Sequence, residues 1–248
     1  MANVKLFDIS WELHDIDSFN QLFLEQVERK TKLCVSSINL HAIYCYYKFP
    51  EMKLFIDSSA AHIDGMPIIW MLKLRGFKFV KSYHRITWVD WMLPLLSFCQ
   101  EKNLKVFYLG GKPGVAKEAM KNVAIKIPEL NYNVRDGYFN MAPTDNPENL
   151  SVIDTINNYN PNILIVGMGM GRQEKWLYEN RDKINANVLI TCGAAAEYFS
   201  GIVKTPPRWM GTAGLEWLYR LMENPQRFAF RYIVEPWFIL KLYFKKYR

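Results

Sequence analysis

The 248-residue chain is poor in groups that bind metals or cross-link: it has four cysteines and four histidines. Cys34, Cys45, Cys99 and Cys192 show no C-x-x-C spacing, which points to buried thiols rather than a zinc site or a disulfide. Long apolar runs are also missing. The most apolar stretch, Ile233 to Phe244, is interrupted by Glu235 and Lys241 and falls short of the roughly 20 residues a spanning helix needs. Such a segment suits lying on a membrane, not crossing one. The first ten residues lack an apolar core and a cleavage pattern, so a secretory signal is not expected. Acidic groups are scarce in one region only. Lys204 to Arg248 carries nine Lys/Arg against three Glu, whereas the first 203 residues balance 22 basic with 21 acidic groups. The same 45 residues hold eleven Phe, Trp or Tyr. Mixed cations and aromatics suit an anionic, oily surface such as a bilayer interface, and also single-stranded nucleic acid.

Apart from that tail, short apolar runs alternate with helical stretches. Leu33 to Ser36, Val106 to Leu109, Ile163 to Val166 and Val188 to Thr191 read as buried strands. Their rhythm predicts an α/β fold with a mostly parallel sheet covered by helices. Three of the strands run into glycine loops, at Gly110-Gly111-Lys112, Gly167-Met-Gly-Met-Gly171 and Cys192-Gly193-Ala194. Ligands of open α/β sheets bind at such carboxyl ends, so a nucleotide or phosphate site is expected there. Asn140 to Pro147 reads as a loop before a capped helix. After Val203 the punctuation changes to three short helices: Leu215 to Met222, one starting at the Asn224-Pro225 cap, and one beyond Pro236, which ends or kinks its predecessor. Residues 1–203 thus form a core and residues 204–248 an appendage. In its last helix Lys241, Lys245 and Arg248 make one stripe, and the apolar remainder, Trp237 and Phe244 included, calls for a partner or lipid.

Several motifs have two readings. Gly167 to Gly171 lacks the full G-x-G-x-x-G and a following ribose-binding acid, so a tight strand-to-helix turn competes with a cofactor loop. Arg172-Gln173-Glu174, polar groups at a helix start, favour a ligand. Asp64, before Gly65 and an apolar run, suits a helix cap or a general base. His62 and His84 match no ligand spacing and read as core or surface histidines. Asp15-Ile16-Asp17 has the form of a metal-holding D-x-D, but Asp17 or Ser18 as a helix cap accounts for it better. Without a metal, a departing diphosphate needs Arg, Lys or a helix terminus; Arg85, Arg208, Arg220, Arg227 and Arg231 are available, the last two sharing a helix face.

Taken in order, these segments resemble the WecG/TagA/CpsF glycosyltransferase family. The pieces are Asn39 in Ile-Asn-Leu, Asp64-Gly65, Arg85 with Asp90, Phe107-Tyr-Leu-Gly-Gly-Lys-Pro113, Asp136-Gly-Tyr-Phe139, Gly167-Met-Gly with Gln173-Glu174, and Gly214-Leu-Glu-Trp-Leu-Tyr-Arg-Leu221 followed by Pro225 and Arg227. The resemblance implies a bacterial, inverting, metal-independent enzyme with a Rossmann-like core and no cofactor. Its substrates would be a UDP-sugar and a sugar on polyprenyl diphosphate, met at the cytoplasmic face of the membrane; an anionic bilayer is a partner and nucleic acid is not, while self-association stays open. Asp64 matches the family's general base, with Arg220 and Arg227 completing the catalytic set and Arg231 beside them. Ser37, Asn39, Gly65, Arg85, Asp90, Gly110, Gly111, Tyr138, Gly167, Gln173, Glu174 and Glu197 fall to substrate binding. Trp237, Lys241, Phe244, Lys245 and Arg248 fall to the membrane. The chain departs from the family pattern at Trp88, Gly171, Glu197 and Thr205-Pro206-Pro207, and a bulky Trp88 is expected to narrow a sugar pocket or change its substrate. A methyltransferase or oxidoreductase using Gly167 to Gly171, and a nucleic-acid module using the tail, are the competing readings.

Overall fold

The computed structural model describes residues 2–247. A hairpin of β1 (Asn3–Leu6) and β2 (Ile9–Glu12) precedes a six-stranded sheet. That sheet comprises β3 (Leu33–Ile38), β4 (Ala60–Ile63), β5 (Val106–Gly110), β6 (Tyr132–Arg135), β7 (Ile163–Gly167) and β8 (Val188–Thr191). The strand order is β4-β3-β8-β7-β5-β6, and every pairing is parallel. The intervening helices are α1 (Ile16–Glu28), α2 (Leu40–Lys48), α3 (Pro50–Asp57), α4 (Met66–Leu74), α5 (Trp88–Glu101), α6 (Val115–Lys126), α7 (Pro147–Tyr159), α8 (Arg172–Asn180) and α9 (Ala195–Phe199).

Strand periodicity puts helices on both faces. In β5, Val106 and Tyr108 join one apolar cluster with α1, α5 and α6, while Phe107 and Leu109 join another with α7 and α8. Successive strand residues point to opposite faces, and each face is covered. From β5 the chain crosses to β6 on one side; from β7 it crosses to β8 on the other. The carboxyl ends of β5 and β7 therefore flank the crevice where ligands of doubly wound sheets bind. Glycine is required there by close approach. A Cβ on Gly110 would lie 2.3 Å from the Gly167 carbonyl oxygen, and one on Gly167 would lie 2.5 Å from the Tyr108 hydroxyl.

Beyond the core run α10 (Arg208–Thr212), α11 (Glu216–Glu223), α12 (Pro225–Ala229) and α13 (Glu235–Tyr247), with Phe230–Val234 forming a π-helical turn between the last two. The helix begun at Asn224-Pro225 is interrupted just before Pro236, where an end or kink is expected from the sequence: α12 stops at Ala229 and α13 begins at Glu235. Pro236 sits in the first turn of α13, where an absent N–H costs little, and the wide π turn before it makes room for the ring. One side of α13 packs on the core. Ile239 is buried, and Phe238, Leu242, Tyr243 and Tyr247 join the cluster formed by the hairpin, α2 and α4. Phe7 stacks on Tyr247, Lys246 holds Asp8 at 2.7 Å, and buried Glu235 meets His41 Nδ1 at 2.9 Å. Only the other side of the helix remains for a further partner.

The Asp15-Ile16-Asp17 segment caps a helix, but the cap is Asp15. Its carboxylate accepts from the Ser18 N–H at 2.9 Å, and the Ser18 hydroxyl returns to the Asp15 backbone. Asn146 caps α7 with Pro147 at the first helical position, as its sequence predicts. All four cysteines are buried free thiols. No helix among the described residues is long and apolar enough to cross a membrane.

Candidate active site

A cavity of about 450 Å³ opens at the carboxyl ends of the sheet strands and is closed on its far side by the appendage. Its floor consists of the glycine loops at Gly111-Lys112, Gly167–Met170 and Gly193, with Arg172 and Gln173 at the start of α8 beside them, a helix end that favours an anion. Arg172 braces one rim, its guanidinium donating to the carbonyls of Gly137 and Phe139 at 3.1 and 2.9 Å. Six cationic side chains line the cavity, Lys112, Arg172, Lys204, Arg220, Arg227 and Arg231, against Asp64, Glu197 and Glu223. That excess suits a diphosphate.

Asp64 follows β4 directly and caps nothing, because Gly65 takes the cap position of α4. Asn39 caps α2 instead. Its amide oxygen accepts the Ala42 N–H at 2.9 Å, so its NH₂ faces Asp64 and donates to Oδ2 at 3.1 Å. Adjacent parallel strands β3 and β4 bring the two residues together. Asp64 is thus an oriented carboxylate with one oxygen left for a substrate proton.

Ser37 and His62 form a fixed pair. His62 Nδ1 lies 2.9 Å from the Ile86 carbonyl and must carry the proton, so Nε2 accepts from the Ser37 hydroxyl at 2.8 Å. Burial pulls the His62 pKa down to about 4, which keeps the ring neutral. His62 is a core histidine, and the Ser37 hydroxyl it orients lines the cavity.

Gln173 joins two glycine loops. Its amide oxygen accepts from Gly193 N–H at 3.1 Å and its NH₂ donates to Glu174 at 2.7 Å; Glu174 in turn accepts from Gly171 N–H at 2.6 Å. Burial raises the Glu174 carboxyl to about 7. Glu174 lies outside the cavity and supports Gln173 from behind.

The appendage supplies the opposing wall. Arg220 lies over the Tyr198 ring at 5.5 Å, and its Nε is buried with no hydrogen-bond partner among the described residues. Burial opposes its charge, but the negative groups near it, Asp64 and Glu216 among them, outweigh that and raise its pKa. Arg227 meets Glu197 at 3.4 Å. Arg85 is nearly buried between Asp90 at 3.1 Å and Glu216 at 3.6 Å, and Arg208 also pairs with Asp90. These contacts join core to appendage. Gly214 lets that joint close: a Cβ there would sit 2.6 Å from Trp70.

Of the residues expected from sequence, Ser37, Asn39, Asp64, Gly111, Tyr138, Gly167, Gln173, Glu197, Arg220, Arg227 and Arg231 line this cavity. Gly65 and Arg85 line a second one beside it. Gly110, Asp90 and Glu174 line neither; they pack strand ends, dock the appendage and brace Gln173. Trp88 lines the cavity with its indole N–H on the Thr191 carbonyl at 2.9 Å. Sequence reading missed Tyr198 on α9 and, in the appendage, Lys204 and Tyr219, since no local signal shows which side chains turn inward. Trp237, Lys241, Phe244 and Lys245 are exposed, and Arg248 lies outside the described residues.

A cationic crevice with an oriented carboxylate on its wall belongs to a group-transfer enzyme acting on phosphorylated substrates. The profile of the glycosyl transferase WecG/TagA/CpsF family matches residues 4–248, and the chain belongs to that family. It is a glycosyltransferase, which displaces the methyltransferase, oxidoreductase and nucleic-acid readings. An N-acetylglucosaminyldiphosphoundecaprenol N-acetyl-β-D-mannosaminyltransferase of Bacillus subtilis (strain 168) is 27% identical over 230 residues, covering 92% of this chain and 86% of that one. Proteins of the same name from Staphylococcus aureus strains MW2 and NCTC 8325 are each 26% identical over 221 residues, covering 86% of this chain and 84% of theirs.

Proposed function

We propose that this enzyme transfers N-acetylmannosamine, its uronic acid or a related hexose from a UDP donor to a sugar on polyprenyl diphosphate, with inversion and without a metal, in bacterial surface polysaccharide synthesis. The observation that carries the reading is Asp64, held by Asn39 on the wall of a cationic cavity at the strand ends. UDP lies over the glycine loops with its diphosphate toward Arg220, Arg227 and Arg231. The acceptor hydroxyl gives its proton to Asp64, its oxygen bonds to the anomeric carbon, and the C1–O bond to UDP breaks with its electron pair leaving on the diphosphate. Appendage guanidinium groups and strand-end loop amides stabilise that developing charge, which is the task a metal would otherwise perform. The β linkage in the relatives' names is what one in-line displacement of an α-linked sugar nucleotide produces.

Incubating the enzyme with UDP-sugars and a prenyl-diphosphate-linked N-acetylglucosamine should give a β-linked disaccharide, and EDTA should leave the rate unchanged. An α-linked product, or activity lost to EDTA and restored by Mg²⁺, would contradict the mechanism.

The acceptor stays in the bilayer, so the enzyme must meet it there. Trp237, Leu240 and Phe244 lie at i, i+3 and i+7 on the outer side of α13, between 44% and 64% exposed, with Lys241 and Lys245 beside them. This stripe lies on the cytoplasmic surface of the membrane, each basic residue contributing about 1 kcal/mol near anionic lipid.

A further inference from the structure

Asn39, Asp64, Arg220 and Arg231 line two cavities at once. The second, of about 350 Å³, lies between the start of α4 and the docked α11. It is less cationic and more apolar than the first. Met66 and Pro67 form one wall and Trp217 another. Arg85 is already paired with Asp90 and Glu216, which leaves the shared Arg220 and Arg231 as the cations with no ion pair among the described residues.

We infer that this second cavity seats the sugar-diphosphate head of the lipid-linked acceptor, an inference that rests on the transferase reading above. An inverting displacement places nucleophile and leaving group on opposite sides of the anomeric carbon. Lys112, Lys204, Arg227 and the glycine loops line the first cavity alone and suit the donor diphosphate there. The incoming hydroxyl therefore reaches Asp64 from the other side of the shared wall, which is the second cavity. Its size suits one pyranose and a diphosphate, and Arg220 and Arg231 on the shared wall face it as well as the donor, with Arg220 Nε left without a hydrogen-bond partner among the described residues. The prenyl chain leaves over Trp217 and Trp70, which are 40% and 45% exposed; Trp70 abuts Gly214 at the cavity rim.

Trp217→Ala removes an apolar wall of the second cavity, Leu40→Trp fills it, and Lys112→Ala alters only the first. The probes are UDP, titrated by calorimetry, and N-acetylglucosamine linked through diphosphate to a short water-soluble prenyl chain, used at saturating UDP-N-acetylmannosamine. Trp217→Ala and Leu40→Trp should raise the acceptor KM about tenfold, the loss of one aromatic anchor, with the UDP Kd within about twofold of wild type. Lys112→Ala should do the reverse. A Trp217→Ala enzyme with weakened UDP binding and an unchanged acceptor KM would overturn the assignment while leaving the transferase reading intact. A wild-type enzyme that neither binds UDP nor uses any UDP-sugar would overturn both.

Discussion

His62 and Glu174 are buried titratable groups whose shifts run in opposite directions. The His62 pKa falls from 6.5 to about 4 because burial disfavours the imidazolium. Its folded value is depressed, so stability is fully present above pH 6.5 and is lost as pH falls toward 4, by roughly 3 kcal/mol. Denaturant melts at pH 7 and pH 4.5 should show a smaller pH-linked loss in His62→Gln than in wild type; equal losses would mean that the ring does not titrate this way. Glu174 rises from 4.5 to about 7 by burial, so its stability is fully present below 4.5 and is lost as pH climbs through 7. Glu174→Gln offers one oxygen to two donors, the Gly171 N–H and the Gln173 amide, and should cost about 1–3 kcal/mol. The same variant should raise the KM for the UDP-sugar severalfold and flatten the stability change between pH 5 and 7. Unchanged KM and slope would remove Glu174 from its supporting role.

Among the elements, α11 and α13 dock the appendage by different means. α11 relies on Arg85, Glu216 and the bare Gly214; α13 relies on apolar packing against α2 and the hairpin. Gly214→Ala adds a methyl against Trp70 at φ 72°, a strained position, and should loosen α11 by about 1–3 kcal/mol. Faster proteolysis between Val203 and Arg208 with a reduced kcat is expected; a variant as resistant and active as wild type would mean the contact is dispensable. Trp237→Ser with Phe244→Ser changes only the outer side of α13 and should abolish flotation with anionic liposomes while sparing the melting temperature. Continued flotation would place the membrane contact elsewhere. Elements were legible where their burial was complete. The four interior strands are largely apolar runs, broken only by Ser36, Ser37 and strand-end residues, whereas Ala60–Ile63 and Tyr132–Arg135, the two sheet edges, carry His or Asn and Arg and lack that signature. The hairpin turn uses Phe7 at φ 56° instead of a glycine or Asn-Gly pair, so nothing local announces it.

For the whole molecule, the glycine loops and the basic tail were each visible in the sequence, but their meeting was not. Asp64 and Asn39 are 25 positions apart, and only the β3–β4 pairing puts them in contact. Lys204 and Tyr219 become site residues only when the appendage folds back over the strand ends, where Arg220 covers the Tyr198 ring of the core. The tail also supplies core, so deleting everything after Val203 uncovers the surface under Ile239 and Tyr243. That truncation should lower the melting temperature as well as remove activity; a truncated chain as stable as the full one would contradict the packing of α13. One carboxylate, Asp64, belongs to both cavities. Single-turnover transfer by Asp64→Asn is the most direct measurement, with UDP affinity and melting temperature followed in parallel. The amide keeps its shape beside Asn39 but accepts no proton, so the rate should fall by about 10²–10⁴-fold with UDP binding and stability retained. Transfer at the wild-type rate would contradict the proton-accepting role of Asp64.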